Sequence, residues 1–240
     1  MQWREESIIL SLKPFSESSR IATVFNKSMG KTSGLVKGLK SPIQPGDIGD
    51  VRWNGRTPEQ LGTLTVENIF SPFGHVLKKN SEIFAIDSAC FLCKNGVPEK
   101  APHSALFDSL KSLLLAISTG NWMVDYVFFE INFLSEVGFG LDLSKCVLTG
   151  ATSGLAYISP KTGCAVTAEA GKKYLDKLFK LPAFLVSRDH SPQNVDIFCA
   201  LEITGHFLRR YFCGINKRAL PFSRDCLIES IKNIIDGVNQ

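Results

Sequence analysis

Residues 20–37, RIATVFNKSMGKTSGLVK, read as a β-hairpin. Two β-branched and apolar runs, Ile21-Ala22-Thr23-Val24-Phe25 and Gly34-Leu35-Val36, flank Ser28-Met29-Gly30, whose small and glycine residues suit a tight reversal. Runs of the same kind recur outward from this hairpin, at 7–12, 47–53 and 61–70, separated by Gly, Pro, Ser and Asn clusters. With 20–26 and 32–37 they make five short strands in about 70 residues, the spacing of a small barrel. Ile8, Leu10 and Leu12 share one face by the two-residue period and are expected in its core. Leu64, Val66 and Ile69 break strict alternation after Glu67, which predicts a bulge or bend there.

The hairpin is studded with cations. Lys27, Lys31, Lys37 and Lys40 fall at strand ends and turns, where ammonium groups reach solvent or a polyphosphate ligand. Net charge is only +4, but residues 1–80 hold 11 Lys/Arg against 7 Asp/Glu, while residues 81–240 hold 16 of each. All the excess positive charge therefore lies in the first third, the distribution expected of a nucleic-acid contact. Surface lysines also keep any small barrel soluble. The aromatics Phe15, Phe25 and Trp53 near the cations read either as stacking groups or as core.

After Ser71-Pro72-Phe73-Gly74 the hydrophobic period changes from two to 3.6. Asn80 is a fair N-cap for a helix that ends at Asn95-Gly96 and carries Ile83, Ile86, Cys90 and Cys93 on one face. A second helix has Leu106, Leu110, Leu113, Leu114 and Ile117. A third, 121–137, is apolar nearly all round and is expected to be buried. Residues 138–173 break the pattern, with one strand-like run at 155–159, and read as an irregular excursion inserted among helices. Ser191-Pro192 opens a helix to about Cys213, closed by Gly214, and Ser223 opens a last one with Leu227, Ile231 and Ile234. The chain is thus α+β, divided into a barrel over 1–75 and a helical domain over 76–240 with an insertion at about 138–173.

Several chemistries are weakened by spacing. Gly30-Lys31-Thr32 ends like a phosphate-binding loop, but Phe25 occupies the first required glycine position and a strand follows. Gly138-Phe139-Gly140 has Leu143 where a dinucleotide fingerprint needs glycine, and reads as a helix stop. Cys90 and Cys93 have metal spacing on an apolar helix face, without a second pair to complete four ligands. The seven cysteines are scattered and odd in number, as expected of free thiols in a reducing compartment. His75, His103, His190 and His206 are dispersed, and a spatially assembled Cys–His pair for a hydrolase is left open. No apolar run reaches membrane-spanning length and the start is not a signal peptide, which points to the cytoplasm. Arg209-Arg210-Tyr211-Phe212, with Lys217-Arg218 beyond, either complements a helix dipole or forms a basic, aromatic pocket for an acidic, hydrophobic peptide tail.

Residues 8–40, IILSLKPFSESSRIATVFNKSMGKTSGLVKGLK, followed by Gln44-Pro45-Gly46, resemble the start of the bacterial recombination mediator family RecO. Residues 138–185, GFGLDLSKCVLTGATSGLAYISPKTGCAVTAEAGKKYLDKLFKLPAFL, are similar to its central segment. The resemblance implies an N-terminal five-stranded OB-fold and a helical domain. It also implies a non-enzymatic, nucleoid-associated protein that binds single- and double-stranded DNA and anneals complementary strands. On this reading it works with RecR to load RecA onto DNA coated by single-stranded-DNA-binding protein, whose C-terminal tail is a further partner, and it needs no cofactor. By match to the family's Lys-Gly-Ala-Arg stretch, Lys37 and Lys40 inherit the DNA contact, with Arg20, Lys27 and Lys31 as helpers. Arg209, Arg210, Lys217 and Arg218 are the candidates for partner docking. Some members carry four zinc-binding cysteines in the excursion. The matching positions here are Cys146, Thr149, Thr167 and Ala170, with Cys164 off register, so no metal is expected and packing should hold the segment. The rival from another class is an OB-fold RNA-binding or translation-associated module.

Overall fold

The computed structural model describes residues 1–37, 42–57, 60–75, 80–120, 122–187 and 189–238, without the side chains of Asn68, His75, Ile234, Asp236 and Val238. Five strands, β1 (Gln2–Ser16), β2 (Ser19–Asn26), β3 (Gly30–Lys37), β4 (Ile48–Asn54) and β5 (Gly62–Phe70), close into a barrel of order β1-β2-β3-β5-β4. All neighbours are antiparallel except β3 and β5, which run parallel. This is the OB-fold, reached by letting the long β1 serve two partners. Its first half pairs with β4 and its second with β2.

The handover is made by a bulge. Between the rungs Ile9–Val24 and Ser11–Thr23, β1 gains a residue on β2. The backbone groups of Ile9 freed there bond to the turn after β3: Ile9 N–H donates to the Asp47 carbonyl (2.8 Å) and Gly46 N–H to the Ile9 carbonyl (2.7 Å). The bulge also corrects the expected core face. Ile9 and Leu12, not Ile8, Leu10 and Leu12 together, join Ala22, Val24, Val36, Val51, Trp53 and Leu64 in the barrel interior. Ile8 and Leu10 are buried outside that cluster. The irregularity expected in β5 is present, because the rungs Ile48–Phe70 and Asp50–Glu67 leave one extra residue on that strand.

Helices α1 (Asn80–Gly96) and α2 (Ser104–Thr119) belong to the same compact unit as the barrel, Met1–Trp122. They cover the barrel's outer face near the β2–β3 turn, where Phe25 meets Phe107 edge-on at 5.8 Å. Ile86, Cys90 and Cys93 are buried as the helical period predicts, whereas Ile83 is exposed. Burial raises the pKa of both thiols, which suits core packing and not chemistry. Gly30 permits the docking: it has φ +70°, and a Cβ there would lie 2.0 Å from the Ala101 carbonyl oxygen.

The second unit spans Met123–Gln240. It opens with α3 (Met123–Glu136); position 121, where the periodicity begins this helix, is outside the described residues, as is the side chain of Ile234. The excursion follows. It holds β6 (Leu155–Ile158), β7 (Ala165–Thr167), the short α4 (Ala168–Gly171) and β8 (Phe179–Lys180), the strands forming an antiparallel sheet of order β7-β6-β8. Sequence periodicity foresees only β6, since the other strands are too short to show alternation. Then come α5 (Asn194–Arg209), a π-helical turn Arg210–Ile215 and α6 (Phe222–Val238). The expected Ser191 cap of α5 is replaced by Gln193, whose capping box is completed by Asp196.

One charge pair lies inside this unit. Arg224 of α6 and Glu130 of α3 are 2% and 0% exposed at their side chains, joined by Nε–Oε1 and Nη2–Oε2 bonds of 2.7 and 2.9 Å. The Thr204 hydroxyl donates to Glu130, and Arg224 also donates to the Leu201 carbonyl at 2.8 Å. The pair ties three helices together with its polar atoms satisfied, the condition under which a buried ion pair is tolerated. Among the described residues, no helix is long and apolar enough to cross a membrane.

Candidate nucleic-acid interface

Strand register decides which cations share a surface. Ala22, Val24 and Val36 face the barrel interior, so Ile21, Thr23, Leu35 and Lys37 face away from it. Lys13 pairs with Ile21, which pairs with Leu35, and Ser19 pairs with Lys37. The outer face of β1–β2–β3, at the end away from α1 and α2, therefore presents Lys13 and Lys37 around the half-buried Ile21 and Leu35. Further down, the Thr23 and Ser33 hydroxyls bond to each other at 3.1 Å. Arg20 occupies the inward row, two rungs beyond Ala22, and emerges at the barrel mouth. There it lines a recess of about 760 Å³ with Pro14, Ser16, Glu17, Ser18, Ser19, Val36, Pro42 and Ile43.

Among the described residues, Lys13, Arg20 and Lys37 form no ion pair or side-chain hydrogen bond, and all three are exposed. Arg4 is engaged with Asp50 and Glu67, and Lys27 with Asp108 at 2.6 Å, whereas Arg52 on β4 is exposed. Glu17, in the β1–β2 turn, is the acid at the recess. Arg56 is exposed on the β4–β5 connection. The β1–β2 and β4–β5 connections flank the ligand face of an OB-fold.

The five sequence-derived candidates thus separate. Arg20 and Lys37 lie together at the open end. Lys27 and Lys31 lie at the opposite, helix-covered end, and Lys40 is outside the described residues. Lys31 requires a correction. It is 7% exposed, and its ammonium group donates to the Lys94 and Val97 carbonyls, the latter at 2.7 Å. It anchors the hairpin to the C-terminal end of α1, where orphan carbonyls and the helix dipole favour a cation. Of the three aromatics, Phe25 and Trp53 are core, whereas Phe15 is 61% exposed. Lys13 was missed because it precedes the lysine-rich hairpin. Only strand pairing brings it there.

In the second unit, Phe139, His206, Arg209, Arg210, Cys213 and Gly214 line a recess of about 540 Å³. Arg209, Lys217 and Arg218 are exposed. Arg210 has a second task, because its Nη1 donates to the Pro160 and Lys161 carbonyls, each at 3.0 Å, pinning the excursion to α5. His206 meets the same Pro160 carbonyl at 3.0 Å.

The excursion's four family metal positions offer one thiol, two threonine hydroxyls and an alanine methyl. This donor set does not fit a tetrahedral zinc–thiolate site. Hydrogen bonds occupy the sulfur instead: the Thr167 N–H donates to Cys146 Sγ at 3.4 Å. Burial alone would push this thiol up, but hydrogen bonds from the Thr149 side chain and from the backbone of Thr167, Leu148 and Thr149 outweigh it and bring it down to about 6. The other cysteines are also free thiols.

A closed five-strand barrel of this strand order, followed by helices, places the chain in the class of OB-fold proteins with a helical second part. The profile of Recombination protein O N terminal matches residues 1–73, and that of Recombination protein O C terminal matches residues 82–218. The DNA repair protein RecO of Rhodospirillum centenum is 37% identical over 95% of this chain and 94% of its own length. Those of Rhodospirillum rubrum and Cereibacter sphaeroides (strain ATCC 17029) are 33% and 37% identical, over 97% and 95% of this chain and 97% and 98% of their own lengths. The chain belongs to the RecO family of DNA repair proteins.

Proposed function

We propose that this protein is a recombination mediator that binds single- and double-stranded DNA through the open end of its barrel and anneals complementary strands. With RecR it loads RecA onto DNA coated by single-stranded-DNA-binding protein, acting in the cytoplasm at the nucleoid without making or breaking covalent bonds. The observation that carries this reading is the convergence of Lys13, Arg20 and Lys37, without acidic partners among the described residues, on one barrel end. Cations so placed screen phosphate repulsion between two strands and release counterions on binding, the physical requirement of annealing. Lys40 joins this group on the family match alone.

Annealing of complementary oligonucleotides coated by single-stranded-DNA-binding protein, followed across a salt series with and without RecR, tests the function. Annealing that weakens steeply with salt is expected. Absence of annealing at low salt, or stronger engagement of matched RNA, would replace this reading by the RNA-binding one. The second-unit recess supports docking of the acidic, hydrophobic tail of the coating protein, with Phe139 as an apolar wall and Arg209, Lys217 and Arg218 nearby in sequence. Arg209→Glu with Lys217→Glu should lower tail-peptide affinity at least tenfold, on the order of 1.4 kcal/mol. Unchanged affinity would remove that assignment. Arg210 is avoided in this test because it also holds the excursion.

A further inference from the structure

We propose that Phe15 is a base-stacking platform through which this barrel end selects single-stranded over duplex DNA, an inference that rests on the DNA-binding reading above. Strand register singles the residue out. β1 pairs Pro14 with Arg20 and Ser16 with Ser19, so Phe15 is the extra residue of a second bulge at the end of the strand. The two-residue period already puts Phe15 on the outer face with Lys13, and at the bulge its ring is left 61% exposed. A single exposed apolar residue is ordinary on a protein surface. Its setting here is not ordinary. Lys13 precedes it on the same strand, and the bulge sits opposite the Ser19–Arg20 rungs, whose β3 partners are Lys37 and Val36.

An exposed aromatic ring amid unpaired cations matches a ligand with alternating flat apolar faces and negative charges, which is a nucleic-acid strand. A duplex buries its base faces in its own stack and offers this surface only phosphates. A single strand offers both. Stacking on Phe15 therefore adds affinity for unpaired DNA and leaves the phosphate contacts common to both forms. It also holds a base extended and accessible, a state that suits pairing with an incoming complement.

The test compares Phe15→Ala and Phe15→Trp with the native protein on a thymidine oligomer, a duplex of equal length and a matched RNA oligomer across a salt series. Phe15→Ala should weaken single-strand binding roughly tenfold or more, change duplex binding by less than about twofold, and leave the salt slope intact because no charge is removed. Phe15→Trp should retain single-strand binding and show fluorescence quenching by the oligomer beyond that of the native tryptophans. Equal losses on both DNA forms, no loss on either, or no added quenching would overturn the proposal, and tighter binding of the RNA oligomer would overturn its assignment to DNA. Lys13→Glu with Lys37→Glu is measured in parallel. If that pair weakens DNA binding while Phe15→Ala does not, the phosphate reading stands and the stacking inference fails. If neither has an effect, the phosphate reading itself fails.

Discussion

Lys31 and Lys37 lie at opposite ends of β3 and do opposite work. The first has its ammonium group enclosed by helix-terminal carbonyls, and the second is exposed without a partner among the described residues. Nothing in the residue type or local sequence separates them. What separates them is whether α1 and α2 cover that stretch of strand, a tertiary fact. Lys31→Met should therefore cost about 1–3 kcal/mol of stability by stranding carbonyls, read as a lowered Tm, while DNA affinity stays native. Weaker DNA binding with unchanged Tm would return Lys31 to the DNA surface. Glu17 supplies a test of opposite sign. It is the acid at the recess that Arg20 lines, so Glu17→Lys should tighten DNA binding and steepen the salt slope by about one. Affinity equal to the native value would show that DNA does not pass the β1–β2 turn.

At the scale of elements, the strands of the barrel were legible because β-branched runs and turn residues mark them locally, and the expected bulge in β5 showed in its broken alternation. The two bulges of β1 were not legible: one resets the core face from Leu10 to Ile9, and the other lies at the exposed Phe15. A bulge within an almost continuous run such as Ser7–Leu12 leaves no trace in the two-residue period. The setting of Cys146 in the excursion was legible only as missing metal ligands, not as a hydrogen-bonded replacement. The Cys146 thiol, ordinarily near 9.0, titrates at about 6 in the fold. Because the unfolded chain keeps that proton up to the higher value, stability gained from the thiolate should rise with pH between about 6 and 9. It should vanish as pH falls through about 6. Tm measured across this range should therefore slope upward more in the native protein than in Cys146→Ala. Parallel profiles would show that the sulfur contributes no thiolate stabilisation. Chelators should leave both unchanged.

Across the whole molecule, composition revealed the asymmetry of charge and periodicity revealed the change from barrel to helices, while the buried Glu130–Arg224 pair and the grouping of Lys13 with Lys37 depend on pairings between distant segments. Glu130→Ala should destabilise the second unit by about 3–5 kcal/mol, because Arg224 would remain buried without its partner. Hydrogen exchange confined to α3, α5 and α6 would locate that destabilisation. The proposed function rests above all on the barrel end as a phosphate surface. Affinity for unrelated DNA sequences, titrated against salt, should fall alike for Lys13→Glu, Arg20→Glu and Lys37→Glu, with the salt slope reduced by about one for each phosphate no longer neutralised. Native affinity and slope in all three folded variants would contradict it.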